Sequence, residues 1–232
     1  LVLSDRTTGI HREIQLSRIG DEVTIKEGND ARRWRVFSSR IQPSQLAKNE
    51  AWELSAREEL PVVWAVPLEG RITVGRFWAF FPLRDETTLT GIANAPWQVN
   101  DDRVGLLEGS QLNKELLDEL SRLVLTSVST LTRKHDPGWV LDLIPARGRE
   151  ARCWGDSYLT TRCYEFAPSY PLVPDQDGRL RRVSGLRLPP AEASRTALEA
   201  WASSPHRPAQ WCHTTAIAST TRRSRVERLF ES

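Results

Sequence analysis

The first third of the chain alternates polar and apolar positions with a period of two. Glu13-Ile14-Gln15-Leu16 and Glu22-Val23-Thr24-Ile25-Lys26 flank Gly20-Asp21, the pattern of two half-buried strands joined by a turn. Arg33-Trp34-Arg35-Val36-Phe37 continues the strand chemistry, and the polar stretch from Gln42 to Arg57 then spaces Leu46, Ala47, Ala51 and Leu54 loosely as on one helix. Val62-Val63-Trp64-Ala65-Val66 and Arg76-Phe77-Trp78-Ala79-Phe80-Phe81 are rich in β-branched and aromatic residues, which predicts two buried strands joined across Glu69-Gly70-Arg71. Pro82 is expected to end the second, and Thr87-Thr88-Leu89-Thr90-Gly91-Ile92-Ala93 supplies a further strand before Pro96.

The period then changes. Leu112, Leu116, Leu117, Leu120, Leu123, Val124, Val128 and Leu131 recur at steps of three and four, the apolar stripe of a long amphipathic helix. Ser110 suits its N-cap, Glu115, Asp118 and Glu119 suit its first half, and Arg133, Lys134 and His135 complement the dipole at its end. Asp136-Pro137-Gly138 stops it and marks the expected boundary between residues 1–136 and 137–232. Trp139-Val140-Leu141-Asp142-Leu143-Ile144 fits a strand or a short buried helix equally well. Asp177-Gly178 between two apolar arms predicts a hairpin, and Pro189-Pro190 opens a helix through Ala191, Leu198 and Trp201. The pattern is that of an α+β protein: a mixed or antiparallel sheet covered by the long helix, followed by a smaller α/β appendage.

Charge narrows the functional classes. With 32 basic and 30 acidic side chains the net charge is +2, which provides no general attraction for nucleic acid. The basic run Arg222-Arg223-Ser224-Arg225-Val226-Glu227-Arg228 reads first as the solvated face of a helix. No apolar run approaches the roughly 20 residues of a membrane span, and the first residues lack signal-peptide features, so a cytoplasmic setting is expected. The absence of methionine points to a segment of a longer product. Cys153, Cys163 and Cys212 form no C-x-x-C pair, so neither a disulfide framework nor a zinc site is indicated, and no metal site is expected.

Nucleotide and acyl chemistry leave no local signature. The chain contains neither a G-x-x-x-x-G-K-[ST] loop nor a G-x-G-x-x-G turn, and G-x-S-x-G is absent. Cys212-His213 is the one neighbouring thiol and imidazole, a weak basis for a small hydrolase because a working dyad is normally assembled from distant positions.

A distinctive order of residues runs from Gly75 to Leu125. Gly75-Arg76-Phe77-Trp78-Ala79-Phe80-Phe81-Pro82-Leu83 leads through Thr88-Leu89 to Asn94-Ala95-Pro96-Trp97, then Asn100-Asp101-Asp102-Arg103, Gly109-Ser110-Gln111-Leu112-Asn113 and the Glu115-Leu116-Leu117-Asp118-Glu119-Leu120 helix. This resembles the region after the ATP-binding domain in sacsin and its bacterial relatives, members of the GHKL superfamily with the large heat-shock chaperone ATPases and MutL. Pro171-Leu172-Val173-Pro174-Asp175-Gln176-Asp177-Gly178 is similar to a segment further downstream in the same proteins.

The resemblance implies a ribosomal-S5-like middle domain in residues 1–136 that couples ATP state to movement or client contact. It places ATP and magnesium in an upstream domain, not in this chain. That upstream domain is then the expected partner, with an unknown protein client downstream. By the same resemblance Arg103 is the candidate contact to a γ-phosphate presented from that domain, a role a guanidinium suits because charge develops on phosphoryl oxygens during transfer. Asn94, Trp97, Asp101, Asp102 and Asn113 are candidate domain-interface residues. The ordinary alternative is a solvated turn at Asp101-Asp102-Arg103 in a passive interaction module of a larger bacterial, defence-related protein, with no ATP-linked role.

Overall fold

The computed structural model describes residues 2–4, 11–51, 54, 56–69, 74–146, 151–190, 192–206 and 210–232. Among them eight strands form one sheet: β1 (Val2–Ser4), β2 (His11–Ile19), β3 (Glu22–Glu27), β4 (Asp30–Ile41), β5 (Leu60–Pro67), β6 (Gly75–Ala79), β7 (Phe81–Thr87) and β8 (Ile92–Asn94), in the order β1-β2-β3-β4-β5-β8-β6-β7. Every neighbouring pair is antiparallel except β6 and β8. The helices are α1 (Gln45–Glu50), α2 (Gln111–Ser127), α3 (Trp154–Phe166), α4 (Arg195–Ser203) and α5 (Thr220–Glu231). Two residues each of β9 (Val173–Pro174) and β10 (Leu180–Arg181) pair around the turn at Asp177-Gly178. The protein is therefore mixed α+β with a mostly antiparallel sheet.

The period-two reading of the first third holds in register, with Leu16 opposite Ile25 and Val23 opposite Trp34. Two other expectations fail for reasons of topology. Arg76 to Phe81 is not one strand: the chain reverses at Phe80 alone, Ala79 pairs with Phe81, and Pro82 lies inside β7 opposite Trp78. Nor are β5 and β6 neighbours, because β8 inserts between them, antiparallel to one and parallel to the other. Gly91 makes that insertion possible. Its φ is +100°, and a Cβ there would sit 2.1 Å from the carbonyl oxygen of Ala65. Gly70 and Arg71, the expected turn, and Ala191 lie outside the described residues, as do parts of the stretch after α1.

One face of the sheet carries the core. Leu60, Val62, Trp64 and Val66 of β5 are fully buried, and α2 lies across β4 and β5 with Leu116, Leu117, Leu120 and Val124 equally buried. α3 packs along α2 and reaches β7. The alternate positions of β5 are Pro61, Val63, Ala65 and Pro67, so the strand's other face is apolar too. Trp34, Val36, Ile92 and Trp78 lie on that same far face by register, half-buried and outside the core.

The core continues across Asp136 without a break, taking in Val140, Leu143, Leu159 and Val226. Trp139 to Ile144, left open between strand and helix, falls in a 3-10 helix at Pro137–Asp142 and the turn after it. The basic run near the end is α5, but it is not simply a solvated face. Arg222 donates to Asp136 at 2.7 and 2.8 Å and to Asp142 at 2.9 Å, pinning α5 to the 3-10 helix. Burial works against the charge of Arg222, but hydrogen bonds to the two aspartates outweigh it and raise its pKa further above its already basic value.

Leu116 and Leu120 of α2, which packs against both the sheet and α3, have no exposed surface. Leu120→Ala is expected to destabilise the protein by about 2–5 kcal/mol in denaturant melts, the usual cost of a cavity at a buried leucine. A loss under about 1 kcal/mol would contradict the packing of α2 described above.

Candidate functional site

Trp97, Asp101 and Arg103 line one concavity of about 600 Å³, together with Glu50, Leu54, Ala79, Phe80 and Leu107. It lies beside the turn at Phe80, the end of α1 and residues 95–107, which link β8 to α2. Trp97 is 5% exposed and meets the edge of Phe77 at a centroid separation of 5.6 Å. Its indole N–H has no hydrogen-bond partner among the described residues.

Residues 98–107 are held from both sides. Asn113, fully buried in the first turn of α2, accepts from the Gln98 amide at 2.8 Å and donates to the carbonyls of Gln98 (2.7 Å) and Leu107 (3.1 Å). Asn113, expected at a domain interface, is fully buried in this chain and fixes the two arms of the loop. Ser110 caps α2 through the Asn113 amide at 3.2 Å, and its hydroxyl also donates to the Gln98 side chain. On the opposite side Arg84 of β7 donates its amide to Val104 at 2.7 Å, and Asp85 accepts from Leu106 at 2.9 Å.

The tip is shaped by Asn100. Its carboxamide oxygen accepts from the amides of Val104 (3.1 Å) and Gly105 (3.0 Å), while its carbonyl accepts from Arg103 at 2.8 Å. Asp102 accepts weakly from Val104 at 3.4 Å. Arg103 ends this turn with φ = 57°, and its exposed guanidinium has no partner among the described residues. Phe80 has φ = 64°. These two are the non-glycine residues with positive φ among the described residues, and both line the same cavity. Asn94 accepts from the Phe80 amide at 3.1 Å, so its place is behind the strained turn and not in the cavity wall.

Glu115 couples α1 to α2. It accepts from the amide and hydroxyl of Ser44, the N-cap of α1, at 2.9 and 2.6 Å and from Gln111 at 2.9 Å. Burial pushes its pKa up, but these hydrogen bonds outweigh burial and hold the carboxyl below its ordinary value.

The remaining chemistry is structural. Burial raises the thiol pKa of Cys153 to about 11 and those of Cys163 and Cys212 to about 12, the opposite of an activated nucleophile. The His213 ring accepts from the Thr215 amide as a cap at 3.2 Å, so Cys212-His213 is not a working dyad. Asp156 is fully buried and accepts from both Thr87 and Thr88, joining α3 to the sheet. No group of His, Cys, Asp and Glu is arranged to hold a metal ion among the described residues, and none of their helices is long and apolar enough to cross a membrane. Sequence reasoning missed Glu50, Phe80 and Asn100 as parts of the site. Asn100-Asp101-Asp102 carries the composition of a turn that could have flagged the tip, whereas nothing local marks Phe80 as a point of reversal. No protein-family model matches the chain, and no curated protein or solved structure shows a significant match.

Phe80 is 69% exposed, so it recovers little burial for holding a left-handed backbone that costs an L-residue roughly 1–2 kcal/mol. Phe80→Gly is therefore expected to leave stability unchanged or raise it by up to about 1 kcal/mol in urea melts. A loss above that size would mean the ring is a packing element. For Glu115, a depressed carboxyl stabilises the fold above its unfolded pKa and loses that contribution as pH falls through the folded value. The stability gap between wild type and Glu115→Gln should be full at neutral pH and shrink below about pH 4, read by thermal melts across pH. A gap independent of pH would place the effect elsewhere.

Proposed function

We propose that this chain is the non-catalytic middle segment of a sacsin-like, chaperone-type GHKL ATPase, with an S5-like first part that couples ATP state in an upstream domain to conformational change or client binding. The observation that supports it is the convergence of Trp97, Asp101 and Arg103 on one cavity wall, with Arg103 exposed, unpaired and held at φ = 57° on a loop braced by α2 and β7. Glu50 and Asp101 line the same cavity as Arg103, and with the adjoining Asp102 they oppose a free triphosphate, so Arg103 meets a phosphate only when another domain presents it. ATP and magnesium accordingly belong to the upstream domain, and this chain alone binds no nucleotide tightly.

A second reading, an interaction module without ATP-linked behaviour, is favoured by the apolar far face of β5. Its Pro61, Val63, Ala65 and Pro67 lack the polar character usual for the solvated face of an antiparallel sheet.

Arg103→Ala in the full-length protein separates the two. Under the first reading hydrolysis slows about tenfold or more while ATP affinity stays unchanged, because the guanidinium acts mainly in the closed, reactive arrangement. Arg103→Lys should restore little, since an ammonium lacks the planar fork. Arg76→Ala is the control, as Arg76 pairs with Glu86 at 3.5 Å on the far face. An unchanged rate in folded Arg103→Ala protein overturns the ATP-coupling reading.

A further inference from the structure

The cavity beside Arg103 has a composition of its own. Leu54, Ala79 and Trp97 give it an apolar wall, and its volume of about 600 Å³ exceeds that of a single large side chain. Much of this apolar surface stays in water: of the lining residues Phe80 is 69% exposed and Leu107 42%, and Phe81, next to Phe80 but outside the lining, is 78% exposed. A small molecule filling the cavity would leave Phe81 in water, whereas a polypeptide laid across the mouth covers these side chains as well. The charged groups at the mouth are Glu50, Asp101 and Arg103, with Asp102 adjoining, three carboxylates against one guanidinium. Asp101 has no partner among the described residues and is exposed. Both left-handed non-glycine residues stand here, and strained backbone collects at ligand clamps because the surrounding structure must maintain it against relaxation.

We infer that this cavity is a docking site for a peptide segment of a protein partner, one that inserts a large aromatic or aliphatic anchor between Trp97 and Ala79 and carries a basic residue beside it. The anchor removes apolar surface from water on both sides, and the basic neighbour sits against Asp101 and Asp102. Trp97 supplies a rigid wall, since it is packed on Phe77 and cannot fold away to close the space. The inference rests on the cavity and its charges and not on the ATP reading, and it applies to either proposed function.

The test uses the full chain, isotopically labelled for NMR, and four probes: acetyl-tryptophan amide, its arginyl and glutamyl dipeptide forms, and tryptamine. Roughly millimolar binding is expected for probes of this size, with shifts centred on the Trp97 indole N–H and the amides of Ala79 and Leu107. The arginyl dipeptide should bind about threefold or more tighter than the glutamyl one, and Asp101→Asn with Asp102→Asn should erase the difference. Arg103→Ala should leave arginyl-probe binding intact or tighten it by removing a like charge, the reverse of its expected effect on hydrolysis, so the two proposals fail separately. Ala79→Leu narrows the space between Ala79 and Trp97 that the anchor would take and should abolish the shifts. Leu107→Lys, at an exposed position, does the same through the mouth without touching the core. Shifts centred elsewhere, no preference for the arginyl form, binding that survives both blocking variants, or tryptamine binding as well as the arginyl dipeptide would each overturn the assignment.

Discussion

The shape of the candidate site depends on one buried carboxamide. Asn113 offers an acceptor and a donor to the backbone of Gln98 and a further donor bond to Leu107, so a side chain of α2 serves the loop as a neighbouring strand would. Its burial is complete. A side chain with the same volume but no polar group would leave the Gln98 amide and the Leu107 carbonyl without this partner, at about 1–3 kcal/mol each, while the Gln98 carbonyl would keep the Leu107 amide. The geometry of the Asp101-Asp102-Arg103 tip is thus set by the position of α2, which in turn is set by its leucine stripe on β4 and β5. Core packing and site geometry are linked through a single residue.

The strain at Phe80 and Arg103 has a different origin. A one-residue reversal between β6 and β7 requires a left-handed residue, and glycine would serve it with less strain. Phenylalanine persists there with its ring mostly in water, supported from behind by Asn94. Arg103 follows a turn in which Asn100 already satisfies three amides, so the backbone has little room to relax. Both left-handed residues line the cavity, where strained backbone is maintained against its local cost by the surrounding structure.

Legibility in the sequence followed the range of the interactions. The α2 stripe and the β2–β3–β4 pairing depend on neighbours a few residues apart, and period alone found them. α3 escaped because its buried face is Gly155, Asp156, Leu159, Thr160, Cys163 and Tyr164, too polar and small to form an apolar stripe. The insertion of β8 between β5 and β6 is a decision of the whole sheet, made where Gly91 permits close approach to Ala65, and no local pattern encodes it. Among the site residues, Trp97, Asp101 and Arg103 do share a wall. Asn94 supports the Phe80 turn and Asn113 braces the loop, work that depends on burial and neighbours, which spacing does not give. Arg222 makes the same point in reverse: a basic run read as solvated supplies the residue that joins Asp136 to Asp142.

A coupling role also requires that displacement at the loop be carried elsewhere. The loop is bonded to α2 through Ser110 and Asn113 and to β7 through Arg84 and Asp85, so little of a push on its tip can be absorbed locally. α2 extends over 17 residues, about 25 Å, as a continuous helix. Beyond it a 3-10 turn leads to Arg133, which donates to the Leu68 carbonyl at 2.9 Å and stacks 3.5 Å from the centre of the Trp139 ring. Trp139 belongs to the same 3-10 helix that Arg222 ties to α5. A shift of the loop that moves α2 as a rigid body therefore meets, at its far end, the contacts that fix the C-terminal helix. Such a lever would work only if the Leu116–Leu120 face moved as a unit on the sheet, because close packing there resists gradual local deformation. The path is contiguous in packed side chains and hydrogen bonds, the continuity that the proposed coupling would need.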